Sequence, residues 1–182
     1  TTPSAIQALS ATPADRKILV QWKQPASDGG SKLYDYKVSV SSDGGSTWSP
    51  WPHEPSVVTS ASISGLTNST NYQVRVEPVN AAGSGPPSVV SATPFTVPGP
   101  VEALNVTPSD RAVSVTWKQP LNNGGATVTS YRVTWSTDGR KWFELSRPQP
   151  SATTAAIAGL LNGTSYQIRV EALNAAGSGE PA

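Results

Sequence analysis

Asp15-Arg16-Lys17-Ile18-Leu19-Val20-Gln21-Trp22-Lys23-Gln24-Pro25 returns 95 residues later as Asp110-Arg111-Ala112-Val113-Ser114-Val115-Thr116-Trp117-Lys118-Gln119-Pro120. Outward from that pair the likeness continues. Tyr36-Lys37-Val38 matches Tyr131-Arg132-Val133 at the same offset. After Asp43-Gly44-Gly45 the offset falls to 94, because the second copy has one glycine fewer (Asp138-Gly139). Trp48 then matches Trp142, Gly65-Leu66 matches Gly159-Leu160, and Tyr72 matches Tyr166. Asn80-Ala81-Ala82-Gly83-Ser84-Gly85 is repeated without change from Asn174 to Gly179. The repeat is too long for a solenoid unit, so each copy is a whole domain.

Within each copy apolar and polar residues alternate. Ile18, Val20 and Trp22 fall on one side of an extended chain, and Leu19, Gln21 and Lys23 on the other. Tyr36, Val38 and Val40 do the same, as do Tyr72, Val74 and Val76. A period of two is that of a half-buried antiparallel strand. About seven such runs per copy, broken by Gly, Pro, Asn and Asp, predict an all-β chain of two tandem β-sandwiches. The expected limits are residues 1–94 and 101–182, with a Pro-rich, semi-rigid linker over 95–100. The first copy ends in a plausible last strand, 88–93, whereas the second stops where that strand should begin and is expected to lack it. Pro78 cannot donate to a ladder, so a bulge or strand end is expected there.

The order of these motifs resembles the fibronectin type III domain, of immunoglobulin-like fold. The likeness rests on a Trp before Gln-Pro, a Tyr-x-Val third strand, Gly-Leu followed by Tyr, and Asn-Ala-Ala-Gly, all seen twice. It implies that Trp22, Tyr36, Trp117 and Tyr131 are core residues. It also implies that Leu66 with Tyr72, and Leu160 with Tyr166, form tyrosine corners. The Ser/Thr/Ala/Gly-rich style with Asp-Gly turns looks like members of the family from secreted or cell-surface bacterial proteins.

Composition excludes several chemistries. There is no cysteine, hence no disulfide, thiolate metal site or cysteine nucleophile. The 13 basic and 12 acidic residues are scattered singly, which argues against nucleic acid and anionic lipid. No apolar run of membrane-spanning length occurs. The lone histidine, His53, cannot form a histidine metal cluster, and no Ser-His-Asp set is present in both copies. Most of the aspartates fall in turns, where they bond the backbone. No enzyme and no cofactor are expected.

The residues left for partner binding are aromatic and basic. Trp48 and Trp51, with Trp142-Phe143 at the matching place, could anchor a protein or stack on sugar rings. The commoner role for Trp48 and Trp142 is packing on the sheet rim. Lys37, Arg75, Arg132 and Arg169 should lie on the outward side of neighbouring strands, where cross-strand charge pairs are usual. Asn68, Asn105 and Asn162 head N-glycosylation sequons, two of them in turns that want Asn for geometry. The expectation is a monomeric, non-catalytic protein-binding or spacer module of a larger secreted or surface protein. The alternatives are a receptor or adhesin pair for a host protein or glycan, and accessory domains of a polysaccharide-degrading enzyme.

Overall fold

The alternation over residues 17–23 appears as a strand with one side sealed. In Lys17–Lys23, Ile18, Val20 and Trp22 are buried, and the four residues between and beside them are exposed. The structure is a computed structural model that describes residues 1–146 and 151–182. It contains two units, Thr1–Phe95 and Thr96–Ala182.

The first unit holds β1 (Gln7–Ala14), β2 (Lys17–Lys23), β3 (Asp35–Ser41), β4 (Ser49–Pro50), β5 (Ser60–Ser64), β6 (Tyr72–Asn80), β7 (Gly83–Ser84) and β8 (Ser88–Ala92). One sheet has the order β1-β2-β5; the other runs β4-β3-β6, with β7 and β8 on the far side of β6. All pairs are antiparallel. Between the sheets Trp22 meets Tyr36 edge-on, with ring centroids 5.3 Å apart, above Ile18, Val20, Ile63, Val74 and Val76. Burial pushes the Tyr36 hydroxyl pKa up, partly countered by the Trp22 indole beside it.

The second unit repeats this with β9 (Glu102–Ser109), β10 (Ala112–Lys118), β11 (Ser130–Ser136), β12 (Phe143–Glu144), β13 (Thr154–Ala158), β14 (Gln167–Asn174) and β15 (Gly177–Ser178). Its sheets are β9-β10-β13 and β12-β11-β14-β15. Trp117 and Tyr131 form the same edge-on pair at 5.5 Å. Among the described residues no strand equivalent to β8 follows β15; the Gly179 N–H donates to Ala172 O at 2.8 Å, and Ala182 exchanges main-chain hydrogen bonds with Val170. Even the irregularities are copied. Ala8 and Ala103 both have φ of 49° at a register shift in the first strand.

Both tyrosine corners form. The Thr67 N–H donates to the Tyr72 hydroxyl at 3.1 Å, and the Leu161 N–H to that of Tyr166 at 3.0 Å. Leu66 and Leu160 are buried beside them.

Two expectations need correction. Pro78 neither bulges nor ends its strand, since β3 and β6 pair in unbroken register from Asp35↔Val79 to Ser41↔Gln73. Its carbonyl accepts from the Gly85 N–H at 2.8 Å, so its main-chain groups face away from β3. The missing donor falls at the gap between β7 and β8, where no ladder bond is needed. The linker over 95–100 is redrawn as well. The Thr96 N–H donates to Gly124 O at 2.7 Å and the Gly99 N–H to Asn122 O at 2.8 Å. On the other side Pro94 O accepts from the Ser69 N–H at 2.9 Å. Residues 96–100 therefore belong to the second unit, as 1–5 do to the first, and Phe95 alone stands between these anchors. Gly124 is obligatory in that docking: its φ is 75°, and a Cβ there would collide with the Thr96 carbonyl.

Candidate functional site

The outer face of the second sheet of each unit collects the basic and aromatic residues. On β6, the inward Val74 and Val76 leave Gln73, Arg75 and Glu77 on the other side. Alternation on β3 places Lys37 beside Glu77, its partner in register.

Trp48 leaves the turn before β4 and lies over this face. Its indole N–H donates to Gly45 O at 3.0 Å, which fixes the ring. The Arg75 guanidinium stacks on it 4.5 Å from the ring centroid. In the second unit the Trp142 N–H donates to Gly139 O at 3.1 Å, and the Arg169 guanidinium stacks at 3.7 Å. Each stack contributes about 0.5–1 kcal/mol at an exposed site. It also holds the guanidinium flat against the ring, and Arg75 Nε lies 3.9 Å from Glu77 Oε1.

The turns that aim these tryptophans are built by aspartates. Asp43 accepts from the Thr47 hydroxyl at 2.6 Å, the Thr47 N–H at 3.0 Å and the Ser41 hydroxyl at 2.7 Å. These bonds, the Thr47 hydroxyl first, hold its pKa well below the usual carboxylate range. Asp138 is lowered in the same way, by the N–H groups of Lys141 and Arg140 and the Ser136 hydroxyl.

Beside the stacks the two copies diverge. Lys37 donates to the Ser84 hydroxyl at 3.0 Å. Arg132, its counterpart, is bound by Glu171, which also accepts from the Ser178 hydroxyl at 2.5 Å. Phe143 is 41% exposed and stacks on Trp135, which in turn meets Tyr166 edge-on. Lys141 Nζ lies 5.1 Å from the Phe143 ring centroid. Trp51 is not part of the face; it is half-buried and packs against the core, with Leu145 at the equivalent place.

Reading by residue type left each tryptophan and each arginine separate, and the fold joins them in pairs. It also missed the asparagines that staple loops. Asn80 Nδ2 donates to Thr1 O (2.8 Å) and Asp28 O (2.6 Å), while its Oδ1 accepts from the Ala82 N–H. Asn174 does the same with Thr96, Asn123 and Ala176. Unchanged repetition of Asn-Ala-Ala-Gly was the available signal. Asn68 and Asn162, read as sequon heads, bind Asp15 and Asp110 through Nδ2, the atom a glycan would need.

His53 Nδ1 lies 2.9 Å from Glu54 O and 3.8 Å from Asp35 Oδ1. Among the described residues no three His, Cys, Asp or Glu side chains gather as metal ligands. Among the described residues no helix is long and apolar enough to cross a membrane.

The fibronectin type III domain model matches residues 2–93 and again 96–182. Among curated proteins, human Myomesin-2 is 29% identical over 168 residues, covering 88% of this chain and 12% of that protein. Chicken M-protein, striated muscle, is 27% identical, covering 90% and 12%. Human Myosin-binding protein C, slow-type, is 26% identical, covering 90% and 16%. The chain thus spans a small part of each. These relatives are animal proteins and do not support the bacterial likeness read from composition. A crystal structure of chicken CNTN1 FN1-FN3 domains superposes on the whole chain and on 66% of its own, with a TM-score of 0.54 at 20% identity, which shows the fold.

Proposed function

The chain belongs to the fibronectin type III family, and we propose that it serves a larger protein as a non-catalytic, protein-binding module, its two units also acting as spacers. One observation carries the reading: the outward tryptophan–arginine stack present in both units, Trp48 with Arg75 and Trp142 with Arg169. Neither stack belongs to the core, yet each ring is fixed by its own hydrogen bond. Ordered aromatic and arginine side chains lose little freedom on binding and are favoured as interface anchors. The relatives support the same class, one of them being named as binding myosin.

The test is quantitative capture of a protein partner from extracts of the source tissue by immobilised chain, compared with Trp142→Ala and Arg169→Ala. Binding through this face predicts about tenfold weaker retention of a specific protein, the effect of losing roughly 1.4 kcal/mol. Unchanged retention would leave the spacer role alone. We also propose a setting outside the cell or at its surface, a reading that rests on the likeness to secreted and cell-surface members of the family alone. Detection of the parent protein only in the cytosolic fraction of source cells would reject that setting.

A further inference from the structure

The first unit has a second surface suited to recognition, on the opposite sheet. β5 is the terminal strand of the order β1-β2-β5, so one of its sides has no neighbour. The Trp22 N–H donates to Thr59 O at 3.0 Å, and the register continues through Gln21↔Ser60, Val20↔Ala61, Leu19↔Ser62 and Ile18↔Ile63. Antiparallel pairs alternate between hydrogen-bonded and non-hydrogen-bonded. Thr59, Ala61 and Ile63 therefore turn their main-chain groups to β2, and Ser60, Ser62 and Ser64 turn theirs outward. Among the described residues nothing meets those outward groups.

Edge strands are normally guarded by charge, proline or a bulge. Ser60-Ala61-Ser62-Ile63-Ser64 has none of these. Val57 and Val58 just before it are 48% and 61% exposed. Alongside β5 a cleft of about 180 Å³ opens between the sheets, walled by Trp22, Tyr36, Trp51, Val58 and β5 itself, with His53, Glu54 and Ser56 also lining it. A strand laid against β5 would send every second side chain toward this cleft. The architecture has room for such a strand: in constant-type immunoglobulin sandwiches a fourth strand lies beside the equivalent one. Here the chain crosses from β4 on the other sheet and pairs no strand with that side of β5.

We propose that β5 of the first unit accepts an extended segment of a partner protein as an added antiparallel strand, with one apolar side chain of that segment seated in the cleft. The outward main-chain row calls for an extended backbone, and the cleft calls for a side chain the backbone can deliver. A second copy of this chain fits less well, because its Ala61 and Ile63 already point into its own core and would leave the cleft empty. The proposal rests on the protein-binding reading but uses none of the Trp48 or Trp142 face. It is confined to the first unit, since residues 147–150, which match part of the cleft wall, lie outside the described residues.

The experiment titrates the ¹⁵N-labelled full chain with a capped heptapeptide in which four threonines alternate with valine, phenylalanine and valine. The Ser60, Ser62 and Ser64 amides should shift, and their hydrogen exchange should slow about tenfold or more. Ser62→Pro removes an outward N–H without taking a bond from β2, so the fold should survive. It should weaken the peptide about tenfold. Val58→Glu, at the cleft mouth, should weaken it as well. The proposal is overturned if millimolar peptide leaves the three amides unmoved, or if both variants bind as the wild type does. It is also overturned if the same amides become protected on raising the concentration of the chain alone, which would identify a second copy as the occupant. Capture sensitive to Trp142 and Arg169 does not depend on Ser62, so either reading can fail without the other.

Discussion

Asp43 shows how much one exposed side chain can organise. Its carboxylate gathers the Thr47 hydroxyl and N–H and the Ser41 hydroxyl, and the resulting turn sets Trp48 over Arg75. Because its folded-state pKa is depressed, the stability it contributes is present above the unfolded value, about 3.9, and is lost as pH falls through the folded value. Asp138 has the same sign. Asp43→Asn combined with Asp138→Asn should therefore flatten the fall in melting temperature below about pH 4, and an unchanged acid slope would show that the turns carry none of it. The serine and aspartate of these turns could be read as hairpin chemistry from residue type alone. That the turn aims a tryptophan at an arginine two strands away could not, because the pairing depends on register.

Strands were the most legible elements. Lys17–Lys23 alternates without exception, and burial follows residue by residue. Trp22 and Tyr36 met the expectation of core residues because large apolar side chains at inward positions have only one place to go. Trp22→Ala should cost about 3–5 kcal/mol, read from denaturant unfolding of the first unit; a cost below about 1 kcal/mol would contradict the packing against Tyr36. Pro78 stays in the ladder, against expectation, for a physical reason. Proline disrupts a ladder only on the side its nitrogen faces, and residue type does not say which side that is. Trp51 was equally ambiguous, since an aromatic beside an edge strand can turn to solvent or to the core, and here it packs on the core.

At the scale of the molecule, duplication was plain from sequence and the boundary was not. Three prolines within 94–100 look like a connector, yet Pro98 is buried and residues 96–100 are bonded to the second unit's own loops. Native-state hydrogen exchange should find the Thr96 and Gly99 amides protected and the Phe95 amide fast; uniformly fast exchange over 95–99 would restore the linker. The asparagine staples bear on how such a repeat can diverge. Asn80 and Asn174 grip main-chain carbonyls, so they constrain where the backbone passes and ignore which side chains it carries. The loops they hold have changed in wording, Ala26-Ser27-Asp28 against Leu121-Asn122-Asn123, and kept their length. The hydrogen bonds of the Asp43 and Asp138 carboxylates stay within their own turns, and there the copies differ by one residue. Drift in these domains is thus free in letters wherever a loop is pinned by its backbone, and free in length only where nothing elsewhere is measuring it.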